Sequence, residues 1–405
     1  MADGPRDVRL LVTATSVSAT GTVLTLLAVP WLVLERTGSP SEAGLLAACT
    51  GAGLVAGSLL SAPLVQRWGA RRASIMADVT CAGATGGLVL VLEVRGYVPV
   101  VLGLLLLLRG LASGPANSTK QVLVAELTGL SQERTASATS WLEAGQRTAR
   151  LVGAPVGGLL LVVDGAQSLF GIDALSFLAA ALGVAAMTRC ASVVPSPRRL
   201  GDGLRYVARD RLTRSVLGTV LITNALEAAW LSVALPVWIR THQLGSEAYG
   251  VVYATVAGSA IVGSLLVQSL AARMPLMVIL EAGLLVSGVC KYLGLLSGSL
   301  VVLVPLVVAG GFATGVNNPV FLTIQIGRLP GDLRAHVFGA ITAVAFATIP
   351  LGAALGGLLV AGLPTGVLVT GAVAAQCVSV GALRLNERRL PPDDLGRPSV
   401  SAGLP

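Results

Sequence analysis

Long apolar runs recur along the chain and are separated by short polar segments. Each run is roughly 20 residues or longer, the length that a helix needs to cross a bilayer core of about 30 Å. Strands are not expected there, because lipid offers no partner for the amide groups of an open strand. We predict twelve membrane-spanning helices, each to within a few residues, at 10–34, 43–65, 73–92, 98–117, 137–163, 167–188, 213–239, 248–270, 274–294, 299–323, 335–361 and 365–384.

The composition supports this interpretation. Apolar residues make up 54% of the 405 positions and charged residues only 12%, whereas soluble domains carry roughly 25% charged residues. The deficit extends along the whole chain, which excludes a soluble enzyme with a single anchor. The first apolar stretch, Leu10 to Leu34, is longer than the roughly 7–15 apolar residues of a signal peptide, so it is interpreted as a retained helix. We therefore expect an all-α membrane protein.

The basic residues predict the orientation of the helices. With a cytoplasmic N-terminus, 23 of the 28 Lys and Arg fall at helix ends or in loops on the cytoplasmic side. Three (Arg36, Arg95 and Arg240) fall outside, and two (Arg109 and Lys291) lie within spans. The positive-inside rule then places both termini in the cytoplasm, in a bacterial plasma membrane. Because the basic residues lie in loops rather than on one face, nucleic acid is not expected as a partner.

The two halves share short matches that occur in the same order. A direct repeat of six spans indicates two bundles with a binding site between them at mid-depth. The matches are Gly44 with Gly250 and Gly57-Ser-Leu-Leu with Gly263-Ser-Leu-Leu at an offset of 206, Gly110 to Gly114 with Gly311 to Gly315 at 201, and Gly153, Gly157 and Gly158 with Gly352, Gly356 and Gly357 at 199. The predicted divisions are an N-terminal bundle at 1–188, a cytoplasmic linker at 189–212, a C-terminal bundle at 213–384 and a disordered cytoplasmic tail at 385–405.

Charged residues inside the spans are the first candidates for function, because each costs at least about 2.5–3.5 kcal/mol on insertion scales. Glu227 lies near the middle of the seventh span, and Asn224 shares its helix face. We hypothesise that Glu227 takes up and releases a proton during transport. The alternatives are an acid that binds a cationic substrate and a structural partner of Arg109.

Three further charged residues lie within the predicted spans. Arg109, about eleven residues into span four, is a candidate partner of Glu227, a substrate contact or one half of a structural ion pair. Glu281, about 10 Å from the cytoplasmic end of span nine by helix rise, is a candidate for lining the cavity. Lys291 is expected near the outer end of the same span, with its side chain reaching the interface.

Two proline segments indicate hinges. Gly114-Pro115 lies in span four and Asn318-Pro319 in span ten. Each proline leaves a helix carbonyl without its usual partner, which favours a bend or a gate.

Several ordered motifs resemble those of the major facilitator superfamily, over nearly the whole chain. The loop Gln66-Arg67-Trp68-Gly69-Ala70-Arg71-Arg72 resembles the signature loop of the superfamily, and Gly153-Ala-Pro155-Val-Gly157-Gly158 resembles the antiporter motif of helix five. The segments Gly114-Pro115-Ala116, Val124 to Leu127, Asp173 to Phe177 and Gly203 to Tyr206 are similar to the twelve-helix drug-antiporter group, which includes macrolide efflux proteins and the enterobactin exporter. The resemblance implies two pseudo-symmetric six-helix bundles and drug export.

The chain departs from the family pattern at two places. Gln66 stands where the signature loop has an acid that is thought to help lock the outward-facing state. Either the lock is weaker here, or Asp78 in helix three pairs with Arg71 or Arg72. The proline of the helix-five motif is displaced by one position, although Gly153 and Gly157 keep a spacing that favours close helix contact.

Other functions find little support in the residues. An ATP-driven pump would need a phosphate-binding loop with Lys after Gly, and neither Lys120 nor Lys291 has that context. A membrane enzyme would need clustered acids or histidines, and the five cysteines have no metal or disulfide spacing. We expect a monomeric carrier without cofactor or metal that exports a small lipophilic molecule in exchange for protons. Uptake or exchange of a polar metabolite, and a non-transporting signalling or assembly role, stay open as alternatives.

Overall fold

The chain folds into long helices, as the apolar runs predict. A computed structural model describes residues 4–128, 132–188, 205, 208–328 and 334–388, and no strand occurs within these ranges. The long elements are α1 (Gly4–Thr37), α2 (Pro40–Trp68), α3 (Ala70–Val94), α4 (Pro99–Leu127), α5 (Gln132–Val163), α6 (Gly165–Ala185), α7 (Arg211–Ala229), a π-helical turn (Trp230–Ala234), α8 (Leu235–Thr241), α9 (Ser246–Ala271), α10 (Leu276–Gly294), α11 (Leu300–Arg328), α12 (Arg334–Gly362) and α13 (Thr365–Arg388).

Eleven helices in the described part of the chain are long and apolar enough to cross a membrane. One of them combines α7, the π-helical turn and α8, over Arg211–Thr241. The helix α5 is not among the eleven, since its first half carries polar residues such as Glu143 and Arg147, whereas residues 151–163 are apolar. The predicted all-α membrane fold is confirmed.

Several helices extend beyond the predicted spans. The helix α4 continues to Leu127, ten residues past the predicted end at 117, so Lys120 lies inside this helix rather than in a loop. The helix α13 continues to Arg388, four residues into the predicted tail. The remainder of the tail, 389–405, and most of the predicted linker, 189–212, lie outside the described residues.

The turn between α2 and α3 depends on a glycine of the signature-like loop. Gly69 has a φ of 78°, and its backbone N–H donates to the carbonyl of Val65 over 2.8 Å to close α2. A side chain at this φ would be strained, because Cβ meets the backbone in the left-handed region. Gly69 can therefore be the single residue between the end of α2 and the start of α3.

The contacts group the chain into two compact units. Unit 1 contains the described residues of Met1–Ser196, Leu231–Ala254 and Ala353–Ala361, and unit 2 contains those of Pro197–Trp230, Thr255–Gly352 and Gly362–Pro405. The two units are defined by contacts between residues. The predicted bundle boundaries at 188 and 213 are defined by the internal repeat of the sequence. The two-bundle division therefore stays a prediction.

Unit 1 is held together by close helix contacts at glycine. A Cβ on Gly57, Gly110 or Gly114 would overlap backbone atoms of the facing helix in the α2–α4 pair. Glycines let membrane helices approach each other to van der Waals distance along the backbone, where dispersion rather than the hydrophobic effect holds them together. The segments of unit 1 that come from the second half of the sequence pack in the same way, through Gly250 against Gly158 and Gly357 against Gly44.

Unit 2 repeats the α2–α4 contact with its own glycines. A Cβ on Gly263 of α9 would overlap the backbone of Phe312, and a Cβ on Gly315 of α11 would overlap the backbone of Ala260. Gly263 and Gly315 are the repeat partners of Gly57 and Gly114. The sequence matches therefore mark the same backbone contact in both halves.

The glycine contacts lead to a first prediction. Gly57→Ala places a methyl group against the backbone of Leu111, and overpacking of this kind costs about 1–3 kcal/mol. We expect a lower melting temperature for this variant in detergent, measured by the loss of the monodisperse size-exclusion peak after heating. Gly83→Ala in α3 is the matched control, because no atom lies within 4 Å of its added Cβ. Equal melting temperatures for the two variants would contradict the close α2–α4 contact.

Candidate functional site

A buried lysine and a partly exposed glutamate form an ion pair in unit 2. Lys291 Nζ of α10 lies 2.7 Å from Glu227 Oε1 and 2.6 Å from Oε2 of α7, so the ammonium group contacts both carboxylate oxygens. The Lys291 side chain is 1% exposed and the Glu227 side chain 28% exposed. A third contact, of 3.1 Å, joins Nζ to the hydroxyl of Thr314 in α11. The carboxylate is therefore reachable from outside the protein while its counter-ion is not.

The expectation that Lys291 reaches the membrane interface is wrong. Its side chain points into unit 2, where its methylene groups lie beside Gly310 of α11. Gly310 is the repeat partner of Arg109, at the offset of 201 that relates Gly110 to Gly311. The absence of a side chain at Gly310 leaves the space that the lysine occupies, and no feature of α10 alone indicates this.

Trp230 contacts Lys291 through the backbone and the ammonium group of the lysine. Its indole N–H donates to the backbone carbonyl of Lys291 over 3.0 Å, and Lys291 Nζ lies 5.9 Å from the centre of the indole ring. Trp230 also begins the π-helical turn, three residues after Glu227. Single π-helical turns inside α-helices are frequent at functional sites.

Asn224 is near Glu227 on α7, as predicted, but it contacts the backbone rather than the ion pair. Its amide donates to the carbonyl of Ala345 in α12 over 3.1 Å. One residue earlier, Thr223 exchanges hydrogen bonds with the buried amide of Gln376 in α13. Thr223, Asn224 and Glu227 thus form a polar stripe along α7.

Arg109 is paired with Asp173, so it is not the partner of Glu227. Its Nε and one terminal nitrogen donate to Asp173 Oδ2 over 3.1 and 2.7 Å, and Thr25 of α1 donates to the same oxygen over 2.6 Å. The two side chains are 2% and 0% exposed. The guanidinium group also lies 5.4 Å from the centre of the Phe177 ring. Among the alternatives for Arg109, this geometry matches a buried structural ion pair between α4 and α6.

Asp78 does not pair with Arg71 or Arg72. Its Oδ1 lies 2.9 Å from Lys120 Nζ of α4, and both side chains are buried. Asp78 lies eight residues into α3, about 12 Å along the helix, whereas Arg71 is in the first turn and donates to the carbonyl of Ala185 at the end of α6. In the signature-like loop itself, the side chains of Gln66, Arg67 and Arg72 are exposed.

The helix-five motif makes close contact with α1 despite its displaced proline. Gly153 lies beside Thr20 and Val23, and Gly157 lies beside Leu24 and Leu27. Pro155 is exposed on the opposite side of α5. The two glycines at a spacing of four are therefore sufficient for the contact.

The remaining candidate residues lie apart from the Lys291–Glu227 pair. Glu281 is largely buried, and its Oε2 lies 3.9 Å from Nε of the exposed Arg384 of α13. Glu281 is ten residues before Lys291 on α10, about 15 Å along the helix. Pro115 and Pro319 lie inside the continuous helices α4 and α11, and their carbonyls accept hydrogen bonds from Thr119 and Thr323. The hinge role of Gly114, Pro115, Asn318 and Pro319 stays a prediction.

Three residues of these networks were not among the predicted site residues. The sequence places Asp173 within a family-like motif, shows Lys120 outside any phosphate-binding loop and predicts Lys291 at the interface. One signal was available, since Lys120 and Lys291 are the chain's only lysines among 28 basic residues. No group of three or more potential metal ligands occurs in the part of the chain that the structure describes.

Comparison with known proteins establishes the family. A model of the Major Facilitator Superfamily matches residues 11–280. The chain is 30% identical over 413 residues to the multidrug efflux pump Tap of Mycobacterium tuberculosis (strain ATCC 25618 / H37Rv), with 97% of each protein covered. It is 24% identical over 361 residues to the multidrug efflux pump Tap of Mycolicibacterium fortuitum, covering 86% of this chain and 88% of that protein.

Solved structures share the fold at low sequence identity. The nucleoside transporter NupG superimposes with a TM-score of 0.74 at 12% identity, covering 95% of this chain and 100% of that chain. The D-xylose-proton symporter gives a TM-score of 0.72 at 15% identity, with coverages of 95% and 98%. The chain therefore belongs to the Major Facilitator Superfamily, as its motifs predict, and it is a membrane transporter rather than an enzyme.

The Arg109–Asp173 pair yields a second prediction. Asp173→Asn leaves Arg109 buried without a counter-ion, and removing one partner of a buried ion pair costs about 3–5 kcal/mol. We expect a marked loss of thermal stability in detergent, measured by size exclusion after heating. The double variant Arg109→Met with Asp173→Leu restores an uncharged interior and should melt above the single variant. A double variant that is no more stable than Asp173→Asn would contradict direct pairing.

Proposed function

We propose that this chain is a secondary active transporter that exports small lipophilic molecules, drugs or natural products, in exchange for protons at Glu227. Export is supported by the relatives that are named multidrug efflux pumps and that align over nearly the whole chain. We also propose that the transporter is a monomer, with both termini in the cytoplasm as its basic residues predict.

The exposure of Glu227 is the observation that carries the proposal. Three ion pairs in the described helices join their charged atoms within 3 Å, namely Arg109–Asp173, Lys120–Asp78 and Lys291–Glu227. In the first two, both side chains are at most 2% exposed, so neither water nor substrate reaches them. Glu227 alone among these six side chains is partly exposed, at 28%. An acid that meets protons and substrate in turn needs this access.

The geometry also supports the proposal that one acid binds a proton and a substrate in turn. Both carboxylate oxygens of Glu227 contact the ammonium group of Lys291. Protonation of Glu227 removes the negative charge and so weakens this contact. A cationic group of a substrate competes for the same charge. Proton and cation therefore exclude one another at the carboxylate, which is the requirement for exchange.

Uptake of a polar metabolite receives less support from the site. A polar substrate needs several charged or hydrogen-bonding groups directed at it, because its own polar groups lose water on binding. In the described helices, Arg109 is paired with Asp173, Lys120 with Asp78 and Lys291 with Glu227. Among these six side chains, one carboxylate is left accessible, which suits a lipophilic molecule better than a polar one.

The role of Glu227 is tested by Glu227→Gln. The amide cannot exchange a proton, so we expect export driven by a pH gradient to fall at least about tenfold. The measurement is drug uptake into proteoliposomes that contain the purified transporter and an imposed pH gradient. Glu93→Gln, an exposed acid at the end of α3, is the matched control and should transport as the wild type does. Full gradient-driven transport by Glu227→Gln would refute proton exchange at this residue.

Export itself is tested in cells. Expression in a host that lacks its own drug pumps should raise the inhibitory concentration of several lipophilic antibiotics. The Glu227→Gln variant, present at the same membrane level, should give less protection. If the wild type raises no inhibitory concentration, or instead sensitises the host, export is contradicted and uptake becomes the favoured direction.

A further inference from the structure

Three hydrogen-bonded contacts join α13 to a series of hydroxyl side chains on α7. Ser215, Thr219 and Thr223 follow one another at intervals of four residues, so successive members are neighbours on the helix surface. Their partners on α13, at 2.8, 3.1 and 3.0 Å, are the Asn386 amide for Ser215, the Ser379 carbonyl for Thr219 and the Gln376 amide for Thr223. The next residue at this interval is Glu227. The contacts between α7 and α13 therefore continue up to the turn before the acid.

Gln376 also reaches α10. Its Nε2 donates one hydrogen to Thr223 Oγ1 over 3.0 Å and the other to the backbone carbonyl of Leu284 over 2.9 Å. A primary amide has two N–H donors, and here one is directed at α7 and the other at α10. The Gln376 side chain belongs to a residue that is 0% exposed, so water does not compete for these hydrogen bonds.

The two helices that Gln376 joins are the helices that carry the Lys291–Glu227 pair. Thr223 lies four residues before Glu227 on α7, about 6 Å along the helix. On α10, Gly288 lies three residues before Lys291, and a Cβ on Gly288 would lie 2.6 Å from Gln376 Cγ. The glycine leaves the space in which the Gln376 side chain packs against α10. The amide therefore links α7 to α10 within about one to two turns of the ion pair.

We propose that Gln376 is a positioning residue for proton exchange at Glu227. When Glu227 gives up its proton, its carboxylate needs a counter-ion, because an unpaired charge inside the membrane is costly. Gln376 holds α7 and α10 at the separation at which the Lys291 ammonium group contacts both carboxylate oxygens. The amide acts through these two helices and does not contact the substrate, because it is buried.

The inference rests on the proposed proton exchange at Glu227, and it distinguishes two modes of transport. Export driven by a pH gradient requires Glu227 to release and regain its proton in every cycle. Equilibrium exchange of labelled for unlabelled drug across the membrane moves no net proton. A residue that positions the ion pair should affect the first mode selectively, whereas a residue that only stabilises the fold affects both modes in proportion.

The variant Gln376→Met tests this, because methionine is unbranched, similar in length and unable to donate hydrogen bonds. The probe is the radiolabelled antibiotic for which the wild type gives the greatest rise in inhibitory concentration in cells. We expect gradient-driven uptake into proteoliposomes to fall at least about tenfold, while equilibrium exchange changes by less than about twofold. Both rates are normalised to the amount of monodisperse protein.

Further variants reach the same contact from the other two helices. Thr223→Val on α7 and Gly288→Ala on α10 should each reproduce the selective loss of gradient-driven uptake. Thr223→Ser keeps the hydroxyl group and should transport as the wild type does. Thr370→Val is the matched control on α13, because the Thr370 hydroxyl is exposed and donates within its own helix to the carbonyl of Gly366.

The outcomes separate this inference from the proposed function. Gradient-driven uptake by Gln376→Met at the wild-type rate would overturn the inference and leave proton exchange at Glu227 intact. An equal fall in both modes would also overturn it, because Gln376 would then serve the fold alone. If a pH gradient does not accelerate uptake by the wild type, proton exchange is itself contradicted, and the inference falls with it.

Discussion

A charged group inside a bilayer has no water to solvate it, and this constraint accounts for the arrangement of the polar residues in both units. Arg109, Lys120 and Lys291 each contact a carboxylate within 3 Å, and each carboxylate belongs to a different helix from its partner. The pairs therefore fix which helices lie side by side, since separating the helices would leave a bare charge in a medium of low dielectric constant. Of these three pairs, Lys291–Glu227 is the one with a partly exposed side chain.

The three pairs differ in a way that separates structure from function. Arg109 and Asp173 make a rigid fork-shaped contact that Thr25 and Phe177 complete from other sides. Lys291 and Glu227 pair an ammonium group with a carboxylate, and the carboxylate is partly exposed. A fully buried arginine pair is suited to holding α4 against α6, whereas the lysine–glutamate pair leaves one carboxylate accessible.

Close backbone packing is the second determinant of the fold. Glycines at equivalent places in the repeat bring α2 against α4 in unit 1 and α9 against α11 in unit 2. The repeat does not extend to the charged residues. Gly310 in the second half occupies the position of Arg109 in the first, and the side chain of Lys291 fills the space beside Gly310. The two halves thus share a scaffold and differ in the positions of their ion pairs.

The sequence by itself determined the membrane-spanning helices, the internal repeat and the family, because these depend on long apolar runs and on glycine spacing along one chain. It also singled out Glu227 and Arg109, since a charge in an apolar run is visible without any fold. Only the tertiary structure decided the partners: Arg109 with Asp173, Asp78 with Lys120 and Glu227 with Lys291 are 64, 42 and 64 residues apart. Pairing depends on which face each helix turns to its neighbour. A helix that is apolar on nearly every side gives little indication of that face in its sequence.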